Sequence, residues 1–517
     1  MSLLISGCAS NGGQSDPAVL DPSALSDGMF GEAGDVGAPV RGGTVSFASF
    51  SEPTSLDPAK AIAAATTGGV ELLNIYDSLM RYDAESDTDV PQLAERLTHD
   101  DTFTTWTLTL RDGVTFSDGT PVDAAAVKAS QQRFGAADGP DAAVWNANVA
   151  DIASPDSMTV VYTLDRPWPQ FSNSLTTGAG MIVAPAAGPT GEGFTPIGAG
   201  PFTLDSWAQG TSMTLAARPD YWAGTPYLDT VTMVYPKKTD VAKETFLNGE
   251  IDVVYLRNPD DITDIVAQGY PGYVGMAAVA NVTIINAAPG RPGADPRVRK
   301  AIQMGLDSEA LFERAFGTST FSERELFGEY SRWHTDVGAV PADPAAAREL
   351  VEQAKADGFD GRLVFDVGPN ESSHRQALAL QAQLQSVGFT VEVRRQSTGG
   401  DHIRAVAADR DYDIAEWGVN LRDPDPYVKM AAAMHSGGKQ VYGMYTSPEM
   451  DALIDSFQSA DQQEKLALMA EIQRRVNDDV PFVTHGYYPE YLAMQRNLHG
   501  VQGSSNAMVS FAQAWTS

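Results

Sequence analysis

The chain has 517 residues, 35 basic and 67 acidic side chains, a net charge of −32 and 43% hydrophobic residues. These are globular values, and the length predicts roughly three domains. Such an acidic chain argues against nucleic-acid binding, which needs a basic surface. The longest weakly polar run, residues 273–288, is interrupted by Asn281, Thr283 and Asn286. It is shorter than the roughly 20 apolar residues of a membrane-spanning helix, which excludes an integral helical membrane protein.

The chain contains one cysteine, Cys8, which rules out an intramolecular disulfide and a CxxC redox site. The apolar residues Leu3, Leu4 and Ile5 precede Ser-Gly-Cys8, an arrangement that resembles a bacterial lipobox. Residues 1–8 are therefore predicted to be a truncated signal peptide and lipobox. Acylation of Cys8 would hold the protein on the outer face of the bacterial cell membrane. The alternative is an incidental cysteine in a floppy tail.

Residues 9–40 are rich in Gly, Ser, Pro, Ala and Asp and contain no Lys or Arg. No apolar period is sustained, so this segment is predicted to be a disordered acidic tether. The pattern changes at Arg41, and Thr44-Val-Ser-Phe47 predicts the first strand of the folded part.

Strands and helices alternate along the folded part. Residues 105–110 alternate polar and apolar side chains, which predicts a half-buried strand. Asp123, Asp295 and Ser447 precede apolar-periodic runs and predict helix N-caps, and Asp461 with Glu464 three residues later resembles a capping box. The alternation favours an α/β fold.

The sequence gives no support for catalysis. It has no G-x-S-x-G, H-E-x-x-H, P-loop or G-x-G-x-x-G motif. The seven histidines show no i,i+4 pair, so neither a metal site nor a cofactor is predicted. The run Asp423-Pro-Asp425-Pro426 could offer paired carboxylates, but a proline-stiffened loop is the preferred interpretation.

Short motifs follow one another in a fixed order over roughly residues 41–500. Each is weak evidence alone, whereas the ordered set is specific. The motifs are Leu56-Asp-Pro58, Ile75-Tyr-Asp-Ser-Leu79, Val90-Pro-Gln-Leu-Ala94, Trp106-Thr-Leu-Thr-Leu-Arg-Asp-Gly-Val-Thr-Phe-Ser-Asp-Gly119, Pro196-Ile-Gly-Ala-Gly-Pro-Phe202, Asp220-Tyr-Trp222, Gly249-Glu-Ile-Asp252, Asp295-Pro-Arg-Val-Arg299 and Tyr445-Thr-Ser-Pro-Glu-Met-Asp-Ala-Leu453.

This set resembles the family 5 extracellular solute-binding proteins, the receptors of peptide, nickel and oligosaccharide ABC importers. The resemblance implies a two-lobed periplasmic-binding-protein-like α/β fold, a hinge between the lobes and an extra α/β domain on the first lobe. It also implies a monomer that closes around its ligand and delivers it to the permease transmembrane subunits. The predicted domains are domain I at 41–66, 196–280 and 489–517, domain II at 67–195, and domain III at 281–488.

The resemblance also suggests ligand-binding residues. In peptide-binding members, an aspartate three residues after a cleft tryptophan pairs with the peptide's α-ammonium. Trp417-Gly-Val-Asn420 occupies that place, with a neutral amide instead of a carboxylate. In dipeptide receptors an arginine before a domain III helix takes the peptide carboxylate. The matching stretch here has no arginine before Arg375, which is expected to face solvent.

Further candidates are Thr66 and Thr67, in a loop that meets the ligand in relatives, and Asn370 and His374. For Trp417, Thr66 and Thr67 a purely structural role is the alternative. Trp417 could belong to the core, and the threonines could cap a helix. The altered anchors count against a strict dipeptide receptor. We therefore expect a receptor for a peptide or peptide-like solute, with a non-peptide solute such as an oligosaccharide or chelated nickel as the alternative.

Overall fold

The computed structural model describes residues 25–31, 37–137, 139–236 and 239–517. The predicted signal peptide and lipobox, including Cys8, lie outside the described residues. Within them, no helix is long and apolar enough to cross a membrane.

The α-helices are α1 Gly69–Tyr76, α2 Ala124–Ala136, α3 Ala142–Asn148, α4 Phe171–Ser174, α5 Thr239–Leu247, α6 Pro259–Ala267, α7 Pro296–Gly305, α8 Ser308–Phe316, α9 Pro344–Ala356, α10 Glu371–Ser386, α11 Gly399–Ile403, α12 Tyr427–Ala433, α13 Pro448–Ser459 and α14 Gln462–Asp479.

Strands alternate with these helices along the chain, as the sequence predicts. The strands are β1 Gly28–Phe30, β2 Thr44–Ala48, β3 Met80–Asp83, β4 Thr88–Pro91, β5 Ala94–His99, β6 Thr105–Leu110, β7 Val149–Ala153, β8 Thr159–Leu164, β9 Phe202–Ala208, β10 Ser212–Ala217, β11 Thr230–Val234, β12 Val253–Leu256, β13 Gly272–Ile285, β14 Arg362–Val367, β15 Thr390–Arg395, β16 Ile414–Trp417, β17 Phe482–Met494, β18 Leu498–His499, β19 Gln502–Gly503, β20 Val509–Ser510 and β21 Trp515–Thr516.

The largest sheet has the strand order β15-β14-β16-β13-β17-β12-β2-β11-β10-β9, with β1 added on β13. The long strands β13 and β17 pair antiparallel through its centre. Strand β16 joins the C-terminal half of β13, whereas β12 joins the C-terminal half of β17. Strands β13 and β17 therefore connect the two ends of the sheet.

The pairing of β13 with β17 is interrupted in the middle. The register shifts between Ala277 and Asn281 and again before Val282, and Val279 has a φ of 54°. A β-branched residue seldom adopts a positive φ, so the surrounding structure must hold Val279 in this bulge. It lies beside the predicted boundary between domains I and III at 280/281. The three-domain division stays a prediction.

A second, antiparallel sheet has the order β5-β6-β8-β7. Its strand β6 buries Trp106, Leu108 and Leu110 and leaves the alternate threonines half-buried, which confirms the predicted alternation. The predicted N-caps are also confirmed, since each side chain accepts a hydrogen bond from the first turn of its helix. These caps are Asp123, Asp295, Ser447 and Asp461, the last in a complete capping box with Glu464.

The prediction that residues 9–40 are disordered is wrong for the described segment 25–31. Leu25 is buried, and Gly28–Phe30 pairs antiparallel with Gly272–Val274 of β13. Asp27 accepts a hydrogen bond from the Met276 amide at 2.6 Å. The free edge of β13 offers unpaired backbone groups that a passing segment can satisfy. Composition alone does not reveal such an edge.

Helix α1 packs differently from its predicted place in domain II. All eight of its residues are buried, and Val70 and Leu73 share a hydrophobic cluster with Val45 and Phe47 of β2. The helix therefore packs against the part assigned to domain I, and the predicted boundary at residue 67 stays a prediction. A helix that is buried on every face lacks the amphipathic stripe that would indicate its partner.

The parts predicted as domains II and III are in contact. Trp168 lies against Tyr427 with ring centroids 5.5 Å apart, and Gln458 donates to Asn148 at 2.8 Å. One hydrophobic cluster contains residues from both parts, including Trp145 and Met430. The structure thus shows the two lobes closed against each other.

Candidate functional site

A partly open cavity lies where the three predicted domains meet. Aromatic side chains line one part of it, and loops from the opposite lobe and from residues 504–507 close it. The aromatic residues are Tyr82, Phe134, Trp145, Trp168 and Tyr273.

Charged side chains of both signs reach this cavity. Asp27, Asp141 and Asp425 supply carboxylates, and Arg422 and Lys429 supply cations. Lys429 lies 3.7 Å from Asp141, so this pair is partly satisfied within the protein. Burial raises the pKa of Asp27 to about 7. Arg422 pairs with Glu490 at 2.6 Å, so both lining cations already face a carboxylate of the protein.

The Asp425 carboxylate is only partly satisfied within the protein. It is buried, its Oδ1 accepts from the Tyr427 amide at 3.0 Å, and its Oδ2 has no hydrogen-bond partner. Burial raises the pKa of Asp425 to about 6 against the opposing effect of the Lys465 charge. The sequence predicts a proline-stiffened loop here. The structure has a loop, and its Pro424 and Asp425 also line the cavity.

The loop 418–425, which we call the cleft loop, follows β16 and runs beside the bulge in β13. Leu421 and Ala278 exchange both backbone hydrogen bonds, at 2.9 and 3.0 Å. Arg422 donates to the Met276 carbonyl at 3.1 Å and to Glu490 at 2.6 Å. The cleft loop of one lobe is thus fastened to the strands that connect the lobes.

Trp417, at the end of β16, is half-buried rather than fully enclosed. Its ring lies 5.3 Å from Tyr442 and 5.6 Å from His402, centroid to centroid. The Asp366 carboxylate accepts from His402 at 2.6 Å. Although burial opposes it, this contact and the Glu416 charge hold the pKa of His402 above its usual value. A partly exposed indole can present a ring face for stacking.

Asn420 lies in the cleft loop with a φ of 59°, a conformation that asparagine tolerates better than most residues. Its Oδ1 accepts a hydrogen bond from Arg257 Nη2 at 2.7 Å, and its Nδ2 donates to the Gly418 carbonyl at 3.2 Å. Arg257 follows β12 and also stacks on the Tyr488 ring at 4.7 Å. The predicted site residue is therefore engaged by a cation from the other end of the sheet.

Thr66 and Thr67 lie in a short 3-10 turn before α1. The Thr67 hydroxyl donates to the Ile62 carbonyl at 2.6 Å, so its proton is used locally. The alternative that a threonine caps the helix is wrong, because the N-cap is Gly68. Asn506 from the cavity wall donates to Ala63 in the same loop at 2.9 Å. The threonines thus lie behind one wall of the cavity.

Asn370 and His374 lie at the start of α10. Asn370 is exposed at the N-cap position and its side chain makes no capping bond. His374 is half-buried, and its Nδ1 is enclosed without a hydrogen-bond partner. Arg375 is exposed, as expected, and its guanidinium also donates to the Ala315 carbonyl at the end of α8. The arginine is therefore used within domain III.

Of the six predicted residues, the structure places Trp417 at the end of β16 and Asn420 in the cleft loop that follows directly. Helix α10 reaches β16 through Ser373, which donates to Glu416 at 2.6 Å. Within the described part of the chain, Thr66 and Thr67 make no hydrogen bond or ring contact with the other four. Sequence reasoning missed Arg257, which lies 163 positions from Asn420. Its only signal in the sequence is a single basic residue directly after the buried strand β12.

Residues 89–440 match the family model described as bacterial extracellular solute-binding proteins, family 5 Middle. The chain belongs to this family. The resemblance read from the motifs is therefore confirmed, and with it the role of a solute-binding receptor.

Relatives align over most of the chain. The probable D,D-dipeptide-binding periplasmic protein DdpA of Escherichia coli K12 is 25% identical over 468 residues, which is 87% of this chain and 89% of the relative. The glutathione-binding protein GsiB of Pectobacterium atrosepticum is 26% identical over 485 residues, 89% of this chain and 92% of the relative.

Solved structures share the two-lobed fold. The oligopeptide-binding protein AppA of Bacillus subtilis, in complex with a nonapeptide, superposes with a TM-score of 0.80 over 93% of this chain and all of that one, at 20% identity. The predicted α/β two-lobed fold is thereby confirmed. At this identity the likeness shows the fold alone.

Proposed function

We propose that this protein captures a peptide or peptide-like solute between its lobes and delivers it to the permease of an ABC importer. The observation that carries the proposal is the cavity between the predicted domains, which combines aromatic walls with carboxylates and cations. Peptides present apolar side chains together with charged termini, so this lining suits them. The names of two relatives, a dipeptide and a glutathione receptor, support the same class.

Ligand release in this proposal depends on the bulge in β13. The lobes are joined through the long strands, and the bulge at 277–281 interrupts their pairing. Hinges are a few residues that absorb large backbone rotations, and an interrupted ladder offers such a place. The ligand favours the closed state because it contacts both lobes only there.

A thermal-shift panel tests the ligand class. The probes are dipeptides, glutathione, a nonapeptide, an oligosaccharide and chelated nickel. We expect at least one peptide to raise the unfolding midpoint, because a ligand at about a hundredfold excess over Kd stabilises the folded state by about 2.7 kcal/mol. Stabilisation by the oligosaccharide or chelated nickel alone would contradict the peptide assignment and leave the receptor role intact.

We also propose that acylated Cys8 anchors the receptor to the outer face of the cell membrane. The support is the Ile-Ser-Gly-Cys8 sequence followed by an acidic segment free of Lys and Arg. In the complete reading frame, Cys8→Ser should move the protein from the membrane fraction to the soluble extracytoplasmic fraction. Ser6→Ala is the matched control, since it keeps the thiol. Equal membrane association of Cys8→Ser and wild type would refute the anchor.

A further inference from the structure

Arg257 is a cation without an anion. It is half-buried, its Nη2 bonds the neutral Asn420 amide, and its guanidinium lies over the Tyr488 ring. Its Nε is enclosed and has no hydrogen-bond partner. Among the described residues, Arg257 takes part in no ion pair. A charge removed from water in this way is costly unless something else pairs with it.

The two carboxylates near Arg257 each have another partner, although the Glu490 Oε1 atom has none. Glu490 pairs with Arg422 at 2.6 Å. Glu416 accepts from the Gly368 amide and the Ser373 hydroxyl at 3.1 and 2.6 Å. Burial, and then the Glu490 charge, raises the pKa of Tyr255, which lies among these groups. Arg257 therefore has no carboxylate of its own within ion-pair distance among the described residues.

We propose that Arg257 and Asn420 form a binding site for a carboxylate of the solute. A guanidinium has five N–H donors in a planar fork, and Asn420 uses one of them. Nη1 has no partner and is not enclosed, so the fork can hold both oxygens of a carboxylate. The second Nδ2 hydrogen of Asn420 remains as a further donor. The inference rests on the proposed function, because it names the group by which the captured solute is recognised.

The same contacts oppose an ammonium group at Asn420. Its Oδ1, the atom that would accept a proton from an ammonium, already accepts one from Arg257. The adjacent guanidinium would also repel a second cation at short range. The charge preferred at this position is therefore the reverse of the one that the sequence resemblance suggests.

A ligand-free test uses Asn420→Asp, which supplies a carboxylate beside Arg257 and keeps a residue that tolerates the positive φ. We expect the thermal midpoint of the ligand-free protein to rise by about 1–2 °C, because the substitution completes the missing ion pair. In an Arg257→Gln background the same substitution should lower the midpoint, since its carboxylate is then unpaired. An equal effect of Asn420→Asp in both backgrounds would overturn the inference.

A binding test uses peptides of two to nine residues, each as the free acid and as the C-terminal amide, with Glu-to-Gln versions to distinguish a side-chain carboxylate. We expect roughly tenfold tighter binding of the carboxylate form, a preference that Arg257→Gln and Asn420→Asp both abolish. Equal affinity of the acid, amide and Gln versions would overturn the inference while leaving the receptor function in place. If no peptide binds, the proposed peptide function fails, and the ligand-free test still decides whether the site takes a carboxylate.

Discussion

Replacing Arg422 with methionine should lower the free energy of unfolding by about 3–5 kcal/mol. The Arg422 and Glu490 side chains are only 11% and 1% exposed, and they form an ion pair of 2.6 Å. Removing the cation leaves the Glu490 carboxylate buried without its counter-charge, and its Oε1 already lacks a partner. Urea unfolding of the purified protein measures the loss.

The double variant Arg422→Met, Glu490→Gln is the control for this prediction. It removes both charges, so most of the lost stability should return. A loss below about 1 kcal/mol for the single variant would contradict the prediction, because it would mean that Glu490 finds another partner. Arg422 also fastens the cleft loop to Met276, so the single variant should bind ligand more weakly as well.

The features that the sequence predicts well are local. The alternation in β6 and the N-caps Asp123, Asp295, Ser447 and Asp461 depend on neighbours a few positions away. The strand shows as an alternation of period two, and each N-cap shows as a polar residue before an apolar run. The structure contains both. The family motifs are equally readable because they are contiguous stretches.

The features that the sequence misses depend on contacts between distant segments. Leu25–Phe30 is ordered because β13 has a free edge for it, more than 240 positions along the chain. Helix α1 is buried on every face, so its partner core cannot be read from its own residues. In both cases the deciding surface belongs to another part of the fold.

The candidate site shows the same division. Trp417 and Asn420 can be found from the sequence because they share one short motif. The charge at Asn420 cannot, since it is set by Arg257 from the end of β12. A residue-by-residue comparison with relatives identifies the position but not the neighbour that determines which ligand charge it prefers.

Gln458→Leu should weaken ligand binding by roughly 5- to 150-fold, because it destabilises the closed state by about 1–3 kcal/mol. Gln458 is fully buried and donates to Asn148 Oδ1 at 2.8 Å across the two lobes. Leucine keeps the volume but leaves that oxygen without a donor when the lobes are closed. In the open state water can supply the missing hydrogen bond, so only closure is affected. A ligand that binds only the closed state then loses apparent affinity in proportion to the fall in the population of that state.

The exposed pair Arg166 and Asp455 provides a control at the same interface. It joins the lobes at 2.6 Å, but both side chains are more than 40% exposed. Asp455→Asn should therefore reduce affinity by less than about fivefold, as exposed ion pairs contribute roughly 0–1 kcal/mol. Calorimetry with one confirmed ligand gives both affinities, and small-angle scattering should show a larger radius of gyration for unliganded Gln458→Leu. If Gln458→Leu costs no more affinity than Asp455→Asn, the buried Asn148 contact does not control closure.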